Sequence, residues 1–277
     1  MEVRHLPNQD AYQRMTTEEL RRSYVADQLF ADDAISTIYI DADRAIIGGA
    51  IPTAQPLQLL ATKKELAAEY FAERREIGIV NIGGDGVVRT DDTHHTLKLK
   101  DMLYIGRGVK EIEFSSVNAK EPAAFFFISF PAHAAFPTTM LPAASAEKVT
   151  LGTPEQANRR TIAKYIHPGG AKSCQLVMGL TDLEQGSVWN TMPPHTHLRR
   201  MEVYLYFGLD PDSLVVHLMG QPDHSRSVIL RNRQAVISPV WSIHCGAGTR
   251  NYSFIWAMGG ENQEFTDMDP VGMQELL

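Results

Sequence analysis

Short segments of apolar or alternating character recur along most of this sequence, and clusters of turn-forming residues, such as those at 83–86 and 210–212, separate them. Segments of about four to eight such residues are typical of β-strands, whereas an amphipathic helix needs a longer stretch with a period near 3.6. Many short strands at close spacing predict a sandwich or barrel. The predicted strands lie at 35–40, 46–51, 77–82, 96–99, 102–105, 123–130, 175–180, 203–207, 214–219, 228–230, 235–237 and 252–258.

Two stretches carry the start signal of a helix. Thr16-Thr-Glu-Glu19 has the spacing of a capping box, and the apolar residues that follow fall close to one side of a helix. The motif Thr62-Lys-Lys-Glu65 repeats this signal. We therefore predict one helix near 16–29 and a second, shorter helix that begins near residue 62.

Composition limits the class of protein. The chain has 277 residues, of which 44% are hydrophobic and 21% charged, as in a globular protein with two domains of ordinary size. Its net charge of −7 argues against nucleic acid and anionic membranes as partners. Cys174 and Cys245 are the only cysteines, so no disulfide framework is expected. Cys245 follows His244 directly and would face the other way on a strand, which makes it a poor metal ligand.

The N-terminal residues predict a cytosolic protein. They are acidic and polar where a secretory signal would need an apolar region. No stretch of the chain approaches the roughly eighteen apolar residues of a membrane span. We therefore expect no membrane partner.

The predicted organisation has five parts. Residues 1–34 form an N-terminal helical arm, 35–130 an N-terminal β-domain without metal ligands, and 131–160 a linker rich in Pro, Ala, Thr and Ser. Residues 161–262 form a C-terminal metal-binding domain, and 263–277 a tail. Alanine-rich pieces of the linker have a short helix as their alternative conformation.

The two halves carry a faint repeat. An ungapped alignment of Glu76 with Glu202 also places Arg74 opposite Arg200 and pairs the apolar residues that follow. The histidines of the second half have no counterpart in the first, so a duplication would leave one metal site and one structural copy. Two unrelated β-domains are the alternative.

Four residues in the second half form a candidate metal site. His195 and His197 are one residue apart, so on a strand both side chains lie on the same face. Glu202 lies seven positions after His195, an odd step, so a carboxylate on the same side requires a turn or bulge between Leu198 and Met201. His244 completes the set, which favours zinc, manganese, iron or nickel over calcium. A buried polar cluster without an ion is the alternative.

The histidine pair, Glu202 and Pro239-x-Trp-x-x-His244 resemble the two metal-ligand motifs of the cupin superfamily, whose members are double-stranded β-helix proteins. Three positions depart from the usual motifs. Gly186 lies farther ahead of His195, Trp241 replaces a glycine, and Gly248 stands where an asparagine is usual.

Segments across nearly the whole chain are similar to the 5-keto-4-deoxyuronate isomerase family, also called 4-deoxy-L-threo-5-hexosulose-uronate ketol-isomerases. The resemblance implies an all-β, two-domain bicupin of jelly-roll sandwiches with a few short helices, assembled as a homohexamer. It implies one Zn²⁺ per chain, bound by His195, His197, Glu202 and His244. The segments are Phe71-x-Glu-Arg-Arg-Glu76, Val80-Asn-Ile-Gly-Gly84, Asn158-Arg-Arg-Thr-Ile162, Trp189-Asn-Thr-Met-Pro193, Met219-Gly-Gln-Pro222 and Gly260-Glu-Asn-Gln263.

The function implied by this resemblance is an aldose–ketose isomerisation of a sugar acid in pectin breakdown. A proton leaves C2 and returns to C1 through an enediolate, which a divalent metal would stabilise. A 1,2-hydride shift is the alternative mechanism. Candidates for the group that moves the proton are Lys164, Tyr252 and Glu261. Candidates for binding the substrate carboxylate are Arg159, Arg160 and Arg200.

Three rival functions differ from this expectation. The related isomerase of inositol breakdown acts on 5-deoxy-glucuronate, and a cupin dioxygenase would use iron. A sugar-binding or regulatory cupin would use the ion only to hold its fold. Six other histidines are expected to be structural or exposed because they lack paired ligand spacing, namely His94, His95, His133, His167, His217 and His224.

Overall fold

The computed structural model describes residues 1–277, and β-strands form most of its regular structure. The first half has twelve strands: β1 (Glu2–Arg4), β2 (Val25–Ala26), β3 (Ile35–Ile40), β4 (Ile46–Ala50), β5 (Leu57–Gln58), β6 (Arg75–Asn81), β7 (Gly86–Thr90), β8 (Thr93–Leu97), β9 (Met102–Ile105), β10 (Ile112–Ser116), β11 (Phe125–Pro131) and β12 (Thr139–Leu141).

The second half has twelve more strands: β13 (Glu147–Leu151), β14 (Arg160–Ile166), β15 (Val177–Leu183), β16 (Trp189–Asn190), β17 (His195–Thr196), β18 (Arg200–Phe207), β19 (Val215–Gln221), β20 (His224–Leu230), β21 (Gln234–Ser238), β22 (Ile243–Gly248), β23 (Ser253–Gly260) and β24 (Asp269–Pro270). The prediction of many short strands is confirmed. The segment 131–160, predicted as a linker, contains β12 and β13 and no helix.

Three short α-helices interrupt the strands: α1 (Gln9–Tyr12), α2 (Thr17–Tyr24) and α3 (Lys63–Leu66). The capping box predicted ahead of α2 is present, with the Thr16 hydroxyl accepting from the Glu19 amide at 3.2 Å. The helix ends at Tyr24, earlier than predicted, because the next two residues form β2 and pair with β21. None of the helices has the length and apolarity that crossing a membrane would require.

The chain forms two units, and neither is continuous in sequence. The first unit comprises Met1–Arg4, Gln28–Glu147 and Tyr165–Val177, and the second comprises His5–Asp27, Lys148–Lys164 and Met178–Leu277. The five-part organisation predicted from the sequence stays a prediction.

Two sheets build the first unit, with strand orders β1-β3-β4-β11-β6-β9-β12 and β5-β10-β7-β8. Side chains alternate across a strand, so every second residue of β6 and β11 enters the same hydrophobic core. Ile77 and Ile79 of β6 and Phe125 and Phe127 of β11 are such residues, and all four are fully buried.

Glu76 directly precedes Ile77 on β6, so strand alternation places its side chain on the opposite side of the sheet. There its carboxylate accepts hydrogen bonds from the Tyr104 hydroxyl at 2.8 Å and from the backbone amides of residues 174, 175 and 176 at 2.7 to 2.9 Å. The alignment of Glu76 with Glu202 is therefore wrong by one residue. The strands themselves correspond when Arg75, the first residue of β6, is set against Arg200, the first residue of β18.

A second pair of sheets carries the second unit, with strand orders β13-β14-β15-β23-β18-β21-β2 and β16-β22-β19-β20. Strand β18 lies between β21 and β23. Strand β22 lies in the other sheet, beside β19. The short strand β17 pairs instead with β24 near the C-terminus, where His195 lies opposite Pro270. Strands β17, β18 and β22 carry the candidate ligands His195, Glu202 and His244, and His197 follows β17 directly.

Candidate metal centre

The four predicted ligands come together in the second unit. His195 lies in β17, His197 directly after it, Glu202 in β18 and His244 in β22. The turn predicted after His197 is present, and the Arg200 amide donates to the His197 carbonyl at 3.2 Å across it. This turn brings the Glu202 carboxylate back to the two histidines.

The ligand atoms of the four residues all lie within 4.8 Å of one another. The Nε2 atoms of His195 and His244 are 3.1 Å apart. One carboxylate oxygen of Glu202, Oε2, lies 3.0 Å from His197 Nε2 and 2.8 Å from His244 Nε2. Such convergence of three imidazole nitrogens and one carboxylate oxygen is typical of a site for a divalent transition metal or zinc.

Hydrogen bonds to the backbone orient two of the rings. The Nδ1 of His197 donates to the Arg200 carbonyl at 3.0 Å, and the Nδ1 of His244 donates to the Ser242 carbonyl at 3.3 Å. With Nδ1 protonated, each Nε2 turns a lone pair towards the centre of the cluster. Lone pairs and a carboxylate at these distances repel one another, and a cation between them removes the repulsion. The residues therefore fit a divalent metal.

Burial sets the charge state of the cluster. Burial, and then the neighbouring imidazole of His244, lower the pKa of His195 to about 3. Burial alone would raise the pKa of Glu202, but His244 and His197 outweigh it and hold that pKa well below the usual range. Burial opposes the charged form of His197, whose pKa is nevertheless raised by the hydrogen bond to Glu202. A metal ion that binds here takes the place of the proton on His197.

A cavity of about 280 Å³ opens onto the cluster. Its walls are largely apolar, as in most small-molecule sites. A few polar groups face it, among them Arg160, Arg200, Thr191 and Tyr204. The apolar lining includes Leu151, Ile162, Met192, Pro193, Phe254, Trp256, Met258, Phe265 and Met268.

Arg200 differs from the other candidate arginines by its burial. Its side chain is 0% exposed, and its Nη2 donates to the Asp267 carbonyl at 2.9 Å. The Nε and Nη1 atoms are buried and have no hydrogen-bond partner in the protein. Burial accordingly lowers the pKa of Arg200. Unpartnered donors on a buried guanidinium are ready to bind an anionic group in the cavity.

The other two arginines lie in different surroundings. Arg160 lines the cavity, and its Nη1 donates to the Asn158 carbonyl at 2.8 Å. Arg159 is exposed, pairs with Glu184 at 3.1 Å and does not line the cavity. The structure thus brings Arg160 and Arg200, but not Arg159, to the site.

None of the three candidates for proton transfer lines the cavity. The Lys164 ammonium lies 4.7 Å from the centre of the Phe265 ring, which does line it. The Tyr252 hydroxyl accepts from Asn190 at 2.7 Å and donates to the Gly246 carbonyl at 3.2 Å, and burial raises its pKa. Glu261 is exposed. Their assignment stays a prediction.

Tyr204 is a cavity residue that the sequence analysis missed. It lies two residues after Glu202 on β18, so strand alternation puts both side chains on the same face and was the available signal. Its hydroxyl lies 3.1 Å from the Thr191 hydroxyl. Burial and the charge of Glu202 raise the pKa of Tyr204 well above its usual value, so the phenol stays protonated.

The C-terminal segment 261–270, which we call the strap, also contributes to the site. It brings Phe265 and Met268 to the cavity. Asp267 of the strap accepts a hydrogen bond from Arg199 Nε at 2.9 Å, and Asp269 pairs with Arg199 at 3.1 Å. Phe265 and Met268, in the segment predicted to be a tail, are therefore part of the cavity wall.

The histidines predicted to be structural or exposed stay outside the cluster. His217 is fully buried, with Nδ1 2.8 Å from the Tyr206 hydroxyl. His95 lies 2.8 Å from the Thr90 hydroxyl, and His167 lies 3.7 Å from Glu147. The exposed ones are His94, His133 and His224.

Solved structures with a similar fold support the architecture. An IolB-like protein from Salmonella typhimurium has a TM-score of 0.66 at 12% identity, with 82% of this chain and 87% of that chain covered. Oxalate decarboxylase from Bacillus subtilis has a TM-score of 0.58 at 9% identity, with 81% of this chain and 71% of that chain covered. At such identities the likeness concerns the fold alone, and it confirms the predicted bicupin sandwich.

Sequence relatives carry the likeness further. A 4-deoxy-L-threo-5-hexosulose-uronate ketol-isomerase from Caldicellulosiruptor bescii is 50% identical over 276 residues, with 100% of both chains covered. A protein of the same name from Dickeya dadantii is 47% identical over 277 residues, again with 100% of both covered. The sequence profile of one family matches residues 25–271. On this match, and on relatives similar over their full length, the chain belongs to the KduI/IolB family.

Proposed function

We propose that this chain is a metal-dependent 4-deoxy-L-threo-5-hexosulose-uronate ketol-isomerase. It would convert 5-keto-4-deoxyuronate to 3-deoxy-D-glycero-2,5-hexodiulosonate. The observation that carries the proposal is the converging set of four ligands. The chain that holds them is 50% identical, over its full length, to a relative of that name. An apolar cavity with one buried, under-bonded arginine suits a substrate that has a carboxylate at one end.

His195, His197, Glu202 and His244 would hold one divalent ion per chain, and we propose that the ion is Zn²⁺. When bound, the ion would stabilise the negative charge that develops on the substrate's O1 and O2 as the carbonyl moves from C1 to C2. The four side chains are held ready for it by burial and by the backbone hydrogen bonds of His197 and His244.

Arg200 would bind the C6 carboxylate of the substrate. Its free Nε and Nη1 donors offer the fork that matches a carboxylate, and the Asp267 carbonyl fixes the guanidinium plane. With the carboxylate held at Arg200, the aldehyde end would extend towards the ligands. Tyr204, which stays protonated, would donate a hydrogen bond to a substrate oxygen.

Few groups in the cavity are able to move a proton between C2 and C1. Apart from the histidine ligands and two arginines, its titratable groups are Glu202 and Tyr204. Reaction in deuterium oxide separates proton transfer from a hydride shift. We expect solvent deuterium at C1 of the product, and a product without deuterium would establish the hydride route instead.

We further propose that the enzyme acts in the cytoplasm on products of pectin breakdown and assembles as a homohexamer. The net charge of −7 and the lack of a membrane-spanning helix agree with this location. Light scattering on the purified protein tests the assembly. A hexamer requires six times the chain mass of 30.9 kDa, and any other mass would exclude it.

A coupled assay tests the activity itself. Purified, metal-loaded protein is incubated with 5-keto-4-deoxyuronate prepared from pectate-lyase products, and formation of the 2,5-diketo product is followed. A parallel reaction with 5-deoxy-glucuronate tests the rival isomerase of inositol breakdown. We expect turnover of the first substrate at least about a hundredfold faster in kcat/KM, which corresponds to about 2.7 kcal/mol. Absence of turnover with binding retained would support the non-catalytic sugar-binding function.

A further inference from the structure

A second cavity lies in the first unit, and arginines dominate its polar lining. Its volume is about 210 Å³, and Arg44, Arg74 and Arg75 all line it, whereas no aspartate or glutamate does. From this cavity we propose that the first unit binds a small organic carboxylate, at a site made of residues other than those of the metal centre. The site itself does not depend on the proposed isomerase activity, whereas the choice of a hexuronate as its ligand rests in part on the role proposed for Arg200.

Arg75 is the buried member of this arginine set. Arg75 is 7% exposed, and its Nε donates to the Ser129 hydroxyl at 3.0 Å. Its Nη2 donates to the carbonyls of Ser129 and Arg44, at 2.8 and 2.5 Å. These bonds fix the guanidinium but leave Nη1 without an acceptor. No carboxylate pairs with it, and burial, with a further contribution from Arg44, lowers the pKa of Arg75 to about 10.

Arg44 and Arg74 are exposed and form the rim of the cavity. Arg44 has no carboxylate partner. Arg74 donates to the Ala67 carbonyl and reaches Glu73 only at 3.7 Å. A buried cation with two further cations beside it is unfavourable without a counter-ion, so an anion that enters the cavity stabilises all three.

The remaining lining indicates the kind of anion. Phe71, Leu66 and Pro131 provide an apolar wall beside the arginines. A bare inorganic ion would leave this wall without contacts, whereas a carboxylate attached to a compact body would contact both parts. Arginine also matches the planar, two-oxygen geometry of a carboxylate.

The position of Arg75 supports the same ligand class. Arg75 is the first residue of β6 and Arg200 the first residue of β18, and each lines a cavity. Strand alternation places Arg75 on the face of core residues Ile77 and Ile79, and Arg200 on the face of the ligand Glu202. The metal-free unit thus keeps an arginine at the strand position that carries Arg200 in the second unit. A hexuronate is a carboxylate of suitable size for both cavities, the one lined by Arg75 and the one lined by Arg200.

Calorimetric titration of the full-length, metal-loaded protein with D-galacturonate tests the proposal, with D-galactose as the uncharged match. The Arg200→Lys background weakens binding at the metal centre, so that the first-unit site is measured. In this background we expect the double substitution Arg44→Ser and Arg74→Ser to weaken binding at least about tenfold, or about 1.4 kcal/mol. Both residues are exposed, which spares the fold that replacing buried Arg75 would endanger. Galacturonate should also slow amide exchange in α3, which carries Leu66.

Several results would overturn the proposal. Binding unchanged by the double substitution would show that Arg44 and Arg74 do not contact the ligand. Equal binding of D-galactose would show that the carboxylate is not recognised. Binding of inorganic phosphate in place of galacturonate would make the ligand class wrong. None of these results bears on turnover of 5-keto-4-deoxyuronate, so the two proposals fail separately.

Discussion

At the scale of single residues, burial separates side chains that the sequence treats as equivalents. Arg159 and Arg200 are both predicted candidates for binding the substrate carboxylate, yet Arg159 is exposed and ion-paired while Arg200 is 0% exposed with two free donors. An exposed pair contributes little, whereas a buried donor gains a strong bond when an anion arrives. The charge of Arg200 is therefore available to a substrate.

Substitution Arg200→Lys tests this difference. Lysine keeps the charge but loses the fork, and hydrogen bonds to charged groups are worth about 1.5–3 kcal/mol. We expect kcat/KM for 5-keto-4-deoxyuronate to fall roughly tenfold to a hundredfold in steady-state assays, with the loss appearing mainly in KM. Arg159→Lys is the matched control and should stay within about twofold of the parent. Equal effects of both substitutions would contradict the role of Arg200.

Glu202 supplies the only carboxylate among the four ligands, and Glu202→Gln replaces it by a neutral group of the same shape. Because the negative charge offsets that of the cation, we expect bound metal to be lost to a chelator much faster. Activity should fall at least about a hundredfold. Metal analysis after dialysis and the coupled assay measure both. Glu261→Gln, an exposed control, should keep its metal, and full metal with full activity in Glu202→Gln would refute the ligand role.

At the scale of elements, the strap is held to the site by one short strand pairing and by polar and aromatic contacts. Strand β24 pairs with only the two residues of β17, and the side chain of Arg199 binds Asp267 and Asp269. The hydrogen bonds from Arg199 and Asn262 hold the pKa of Asp267 well below its usual value of 3.8. The contribution of the ionised Asp267 carboxylate to stability is therefore present in full well above pH 3.8. It is lost as the pH falls from there through the lower folded pKa.

Asp267→Asn should loosen the strap without unfolding the second unit. A partly exposed ion pair is worth about 1 kcal/mol or less, so we expect Tm to change by only a few degrees. Amide exchange within 262–269 should accelerate, and KM should rise about threefold to tenfold because Phe265 and Met268 lose their place in the wall. Asp210→Asn removes the exposed pair with Arg250 and is the control. Unchanged exchange within 262–269 would show that the strap does not depend on Asp267.

The segment Tyr165–Val177 depends on a different carboxylate. Glu76 is 0% exposed and accepts from three successive backbone amides of this segment as well as from Tyr104. A carboxylate is the group that satisfies four donors at once, because it has two oxygens and no hydrogens when ionised. The Glu76 side chain therefore helps to hold this segment in the first unit, beside other contacts such as the one from the Gln175 side chain to the Pro131 carbonyl.

Glu76→Gln places an amide among those four donors. Its nitrogen meets hydrogen-bond donors and leaves buried groups unsatisfied, so we expect a loss of about 2–3 kcal/mol in the free energy of unfolding. Tm should fall by roughly 4 to 12 °C in a calorimetric scan. Glu121→Gln, on the surface, should leave Tm within about 2 °C. A Tm unchanged by Glu76→Gln would mean that the segment is held by its other contacts.

At the scale of the whole molecule, one group of residues in the chain is able to hold a metal. We therefore expect metal analysis of untreated protein to give one zinc per chain. Removal by a chelator should abolish activity and lower the Tm of the second unit, because the ion binds only the folded state. Restoration of both by Zn²⁺ completes the test. Two ions per chain would place a site in the first unit, against the structure.

Much of this fold was accessible from the sequence because local patterns determine it. The strands at 35–40 and 102–105 coincide with β3 and β9, and the ligands follow from the spacing of His195, His197 and Glu202. The strand predicted at 203–207 begins three residues earlier, at Arg200, whose charge suits a turn but which the strand buries. A single-residue slip also reversed the face of Glu76. The strap was missed because β24 pairs with distant β17.

The early strand β2 also has a consequence for how this chain is made. Val25 and Ala26 pair with Val236 and Ala235, and the Tyr12 hydroxyl donates to the Met219 carbonyl at 2.8 Å. During synthesis these N-terminal residues leave the ribosome long before their partners exist. The first unit is complete once Val177 has emerged, so it is free to fold while residues 5–27 still wait for the second unit. Residues 5–27 are thus made near the start and are among the last to reach their native place.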